Sequence, residues 1–310
     1  MARRVLLLRA LSAAIASLAA GAMLAAPASA ADGRDRVSAL SPVGNDISYP
    51  QCTSSGWADG TYTGTGSTTI PMGARFGIVG VNGGTAAVAN PCLPAQLRWA
   101  DSLPGLDGQP PLQLYVNTAN PGAVLEQYEV TTWPLLTDPA NPYNEDDGVA
   151  QACTEDGVGV NDLACSWQYG WNRAEWTAGL YDEAADVAGV SVDLADTVVW
   201  LDVETGNTWQ TGTEGLERNA AALEGMAAFY VVRGAEVGLY STAYQWNLIV
   251  GANGLTGTLA GLDSWLAGAT NLRTAGAFCD TRPALTGGDV TLTQWVQRGF
   301  DNDLSCTDLP

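Results

Sequence analysis

Histidine and lysine are both absent from the 310 residues, so all 13 basic side chains are Arg, and they face 33 acidic ones. Without imidazole there is no Ser-His-Asp or Cys-His machinery and no His-ligated zinc, and without Lys there is no Schiff base. None of the six cysteines forms a CxxC pair, which makes a zinc knuckle a poor reading. The formal net charge of −20 repels phosphate backbones and anionic lipid surfaces, which argues against nucleic acid as a partner. Asp, Glu, Tyr and Cys remain for acid/base work at neutral pH. Carboxylate chemistry leads if the chain is a catalyst.

Long apolar runs are scarce too. The one present, over residues 10–26, follows Arg3-Arg4 and precedes the small residues Ala28-Ser29-Ala30. This order predicts a secretory signal over 1–30, removed after Ala30. No second span follows, so the mature chain is expected to be soluble, exported and free of membrane. Residues 31–42 are polar and predicted to be disordered, and 43–310 has the usual size of a single barrel domain. All six cysteines (Cys52, Cys92, Cys153, Cys165, Cys279 and Cys306) lie in the mature part, which fits an oxidising compartment and three disulfides.

Strand-like segments are predicted over 46–49, 75–81, 112–117, 197–203, 236–241, 264–267, 277–279 and 290–296. Helical patterns lie between several of them. Trp176, Leu180, Ala184 and Val187 fall at helical spacing, as do Leu216, Ala220, Leu223 and Ala227, the second set closing at Gly234. Strands alternating with helices imply parallel pairing. From Trp265 to Pro310 there are only 46 residues, too few for three helices. The fold class expected is therefore α/β, an irregular TIM-like (β/α) barrel with helices missing between its last strands. Neighbouring first strands would pair Cys52 with Cys92. A local loop rich in Pro, Asn, Asp and Gly would be closed by Cys153 with Cys165, and Cys279 with Cys306 would hold the helix-poor end.

The sharpest chemical signal is Val198-Val199-Trp200-Leu201-Asp202-Val203-Glu204. An apolar strand ending in Asp-x-Glu turns both carboxylates to one face, because strand side chains alternate. In a barrel that face is the mouth, and two adjacent carboxyls cannot both ionise cheaply, so one can stay protonated as a general acid.

Further segments sit around this one in a fixed order. Asp46-Ile47-Ser48-Tyr49-Pro50-Gln51 ends a first strand, and Phe76-Gly77-Ile78-Val79 leads toward Gly83-Gly84. Tyr240-Ser241, Trp265-Leu266-Ala267, Gln294-Trp295 and Phe300-Asp301-Asn302-Asp303 follow. Together, from about Gly44 to Cys306, these resemble the glycoside hydrolase family 25 lysozymes, whose segments run D-x-S-x-x-Q, F-x-I-V, D-x-E, Y-(S/T), W-x-A and Q-(Y/W) then D-x-N.

The resemblance implies that Glu204 donates a proton to the glycosidic oxygen. Asp202 would steer the N-acetyl group or oppose positive charge, and Asp46 and Asp301 would complete an acidic floor, with Asp303 the alternative to Asp301. It implies that Tyr240, Trp265, Trp295 and Gln294 shape the sugar subsites. The substrate implied is peptidoglycan or a related amino-sugar glycan, cut between N-acetylmuramic acid and N-acetylglucosamine with no cofactor and no metal. One departure stands out: active members usually carry Tyr-His at the third strand, where this chain reads Leu114-Tyr115-Val116-Asn117. A non-catalytic wall-binding or structural protein on the same barrel is the alternative, and a hydrolase of another amino-sugar polymer is a third reading.

Overall fold

Short apolar strands separated by helices need crossover connections, and those connections make neighbouring strands parallel. The computed structural model describes residues 42–123, 133–297 and 299–309. The signal expected over 1–30 and nearly all of segment 31–42 lie outside the described residues.

Eight strands close into a barrel: β1 Val43–Ile47, β2 Gly77–Gly80, β3 Leu112–Asn117, β4 Val198–Asp202, β5 Glu236–Ser241, β6 Asp263–Ala269, β7 Val290–Gln297 and β8 Phe300–Ser305. They follow one another around the barrel in chain order. Pairings from β1 through β7 are parallel, whereas β8 runs antiparallel to both β7 and β1. Five α-helices are found among the described residues: α1 Leu93–Asp101, α2 Leu163–Ala188, α3 Gly212–Val232, α4 Ala243–Ile249 and α5 Leu272–Phe278. The β/α alternation is not strict. Between β1 and β2 stand two small ribbons rather than an α-helix, and a tight hairpin joins β7 to β8.

Local sequence explains the longest elements. Asp162 caps α2 by accepting from the Cys165 amide at 2.8 Å, and Gly189, at φ 70°, ends it in a left-handed turn. Leu180 and Ala184 are buried as the helical spacing predicts, while Val187 reaches the exposed end of the stripe. Ala220, Leu223 and Ala227 of α3 are buried likewise. The two helices touch closely because Gly170 sits against the Ala222 carbonyl and Gly225 against the Trp167 carbonyl, positions where a side chain would collide with backbone.

Inside the barrel Phe76, Ile78, Trp200, Trp265 and Leu292 form one buried cluster. Glycines face the largest rings: Gly238 lies under Trp200, and Gly80 leaves room for Tyr115. Three disulfides join Cys52 to Cys92, Cys153 to Cys165 and Cys279 to Cys306, as the strand order predicts, and they fit an oxidising environment. No helix among the described residues is long and apolar enough to cross a membrane.

Two sequence expectations need correction. Residues 277–279 are not a strand: Asn271 and Thr274 form a capping box that starts α5, which runs through Phe278. The strand that takes its place is β8, whose sequence Phe-Asp-Asn-Asp-Leu-Ser has too little apolar alternation to be recognised. The late connections are therefore shortened, with a two-turn helix between β6 and β7 and none between β7 and β8.

Candidate active site

Side chains of β4 alternate, so Val198, Trp200 and Asp202 point inward in sequence from one end of the barrel to the other. Glu204 follows two residues later on the same side. Its backbone is pinned: the Trp209 indole N–H and the Asn207 amide donate to its carbonyl at 2.8 and 3.2 Å, and Ser241 Oγ donates to the Val203 carbonyl at 2.7 Å. Asp202 is buried, and its Oδ1 accepts no hydrogen bond among the described residues.

The other wall comes from the barrel seam. Asp46 of β1 stands in register with Asp301 of β8, and Gln294 of β7 with Asp303. Gln294 Nε2 donates to Asp46 Oδ2 at 2.8 Å, and Tyr240 Oη donates to Gln294 Oε1 at 2.8 Å. Deeper in the barrel the Trp265 indole N–H donates to Asp303 Oδ1 at 3.1 Å.

Burial sets the charge state of this floor. It pushes Asp46 up to about 8, with the facing Asp301 adding to the rise and Gln294 and Asp303 opposing it. Asp202 is held well above the ordinary carboxylate range by burial, then by Glu204 and Asp46. Asp303 is raised by burial, then by Asp46 and Asp301. Asp301 is raised by burial and Glu204. Tyr115 and Tyr240 are raised by burial and by the carboxylates around them, so both remain neutral hydroxyls.

Asp46, Tyr115, Asp202, Glu204, Tyr240, Trp265, Gln294, Val296 and Asp301 line one pocket of about 330 Å³ at the C-terminal ends of the parallel strands. Seven of the residues singled out from the sequence thus meet in one place. Asp303 lies beneath them, fully buried. Trp295 is placed elsewhere: only 4% exposed, it packs with Ala269, Ala275, Cys279 and Leu304 outside the barrel, because its neighbour Gln294 takes the inward position. Tyr115 and Val296 were missed, although parity could have found both, lying two residues from the inward-facing Gln113 and Gln294 respectively. A larger cavity, about 540 Å³, opens at the opposite end between Thr197, Val198, Glu236 and Asp263. Its Asp196 and Glu236 are exposed, and it gathers no buried carboxyl cluster.

Among the described residues, no group of three or more potential ligands is arranged to hold a metal ion. What the pocket offers is a set of carboxyls, Asp46 and Asp202 among them raised by burial, beside neutral hydroxyl and amide donors. Such a set can give a proton to one substrate atom while opposing positive charge on another. No family model, curated protein or solved structure matches the chain.

Proposed function

We propose that the chain is a secreted glycoside hydrolase of the family 25 type, acting on peptidoglycan through a TIM-like barrel whose eighth strand is inverted. The observation that carries this reading is the convergence of Asp46, Asp202, Glu204 and Asp301 on one pocket at the C-terminal mouth, from segments spread across the chain. Parallel strands from β1 to β7, taken in chain order, support the TIM-like description, and the three disulfides support export.

In this reading Glu204, at the open end of the β4 column, protonates the glycosidic oxygen as the bond to the anomeric carbon breaks. Asp202, held above the ordinary carboxylate range by burial and then by Glu204, steers the N-acetyl group through the proton it can donate, and water completes the hydrolysis. Gln294, itself held by Tyr240, fixes Asp46 on the opposite wall. Trp265 is 1% exposed, so it shapes the wall rather than stacking openly on a sugar.

The test is incubation with purified peptidoglycan, measuring reducing-end release and fragment masses. The expected products end in N-acetylmuramic acid. No release from several wall preparations by folded protein would favour the non-catalytic wall-binding reading. Release only from another amino-sugar polymer would change the substrate.

A further inference from the structure

We propose that Gln245 is a positioning residue that aims the Glu204 carboxylate into the pocket, an inference that rests on the hydrolase reading for its consequence but not for its geometry. Gln245 sits in the first turn of α4, where its own amide donates to the capping Thr242 hydroxyl at 3.1 Å. Its side-chain orientation is fixed chemically. The Thr205 backbone N–H lies 2.6 Å from one terminal atom, and a backbone N–H can only donate, so that atom is Oε1. The Thr205 hydroxyl donates to the same oxygen at 2.9 Å. Nε2 is thereby turned toward Glu204 Oε1, at 3.4 Å.

The arrangement links two crossovers. Glu204 and Thr205 lie just after β4, whereas Gln245 lies after β5. A carboxylate beyond the end of its own strand lacks the constraint of the ladder, and the amide supplies a second point of attachment. At 3.4 Å the contact is long for a hydrogen bond, and a movement of about half an ångström would bring it to the usual distance.

Two measurements test this. The side-chain amide resonances of Gln245, assigned by their loss in Gln245→Leu, should move when Glu204 is changed to Ala in otherwise folded protein. Resonances that stay in place overturn the inference, whatever the activity.

The second measurement compares Gln245→Glu with Gln245→Met in glycan cleavage. Gln245→Glu keeps an acceptor for Thr205 but sets an oxygen against Glu204, and Gln245→Met removes both contacts. A positioning role lowers kcat on the order of 10-fold in both, with KM nearly unchanged. If Gln245→Glu turns over like wild type, the residue merely holds Thr205 and the inference falls. If wild type cleaves no glycan while the resonances move, the contact stands and the hydrolase reading is what fails.

Discussion

Asp46 and Asp301 face each other as register partners across the antiparallel β1–β8 ladder, two carboxyls in one cross-strand pair. Burial makes ionising either one costly, and repulsion between like charges in that position adds to it. Asp46 responds by holding its proton up to about pH 8.

Two substitutions should move that titration in opposite directions. Asp301→Asn removes a repelling charge and lowers the Asp46 midpoint from about 8, whereas Gln294→Leu removes a donor to its carboxylate and raises it further. Carboxyl carbon NMR, with Asp46 assigned through Asp46→Asn, measures both. Movement in the same direction would mean that the two neighbours do not act through charge and hydrogen bonding.

Stability should fall as pH rises from mildly acidic toward neutral. Asp46, whose ordinary value is 3.8, keeps its proton in the folded state up to about 8, and Asp202 and Asp303 are raised as well. The unfolded chain releases these protons near pH 4. The folded state therefore binds more protons over the window between, and the slope of unfolding free energy against pH is negative there. The stabilisation is complete below the unfolded values and lost as pH climbs through the folded ones. Calorimetry should give a higher Tm at about pH 5 than at about pH 8, with the difference reduced in Asp46→Asn. A Tm that rises across this range would contradict the assignment.

Loss of the proposed acid should abolish turnover without unfolding the barrel. Glu204→Gln is expected to reduce reducing-end release on the order of 100-fold or more, and Asp202→Asn to cut it severely. Glycan fragments should still bind both variants. Circular dichroism checks the fold, and unchanged cleavage by a folded Glu204→Gln protein would remove Glu204 from the chemistry.

Gly170→Ala or Gly225→Ala should destabilise the protein without touching the pocket. Each added methyl would press on a backbone carbonyl of the facing helix, which cannot yield as a side chain can. Overpacking of this kind costs about 1–3 kcal/mol. Chemical denaturation measures the loss, and a neutral result would mean that α2 and α3 can separate freely.

Much of this architecture was legible because burial on both faces leaves apolar runs, as in Val198-Val199-Trp200-Leu201, and because Asp-x-Glu declares its own parity. The polar interior of β8 was not legible. Asp301, Asp303 and Ser305 point inward where apolar residues are the rule, so the strand reads as a loop, and only its pairing with β1 and β7 reveals it. Trp295 shows the opposite failure. The family resemblance put it in a subsite, yet its side of the strand was decided by Gln294 next to it. The Gln245 contact left no sequence signal, since it joins two crossovers whose meeting depends on the tertiary fold.

The inverted last strand makes the seam of the barrel and the floor of the pocket the same place. Asp46, Gln294, Asp301 and Asp303 all lie on the three strands that meet there. Local openings of folded proteins begin where pairing is easiest to release, and a strand returning by a hairpin can peel away without disturbing the parallel sheet. A transient opening at this seam would scatter the acidic floor while β2 through β6 stayed intact. On heating, the acidic floor of the pocket would then come apart before the helices melt.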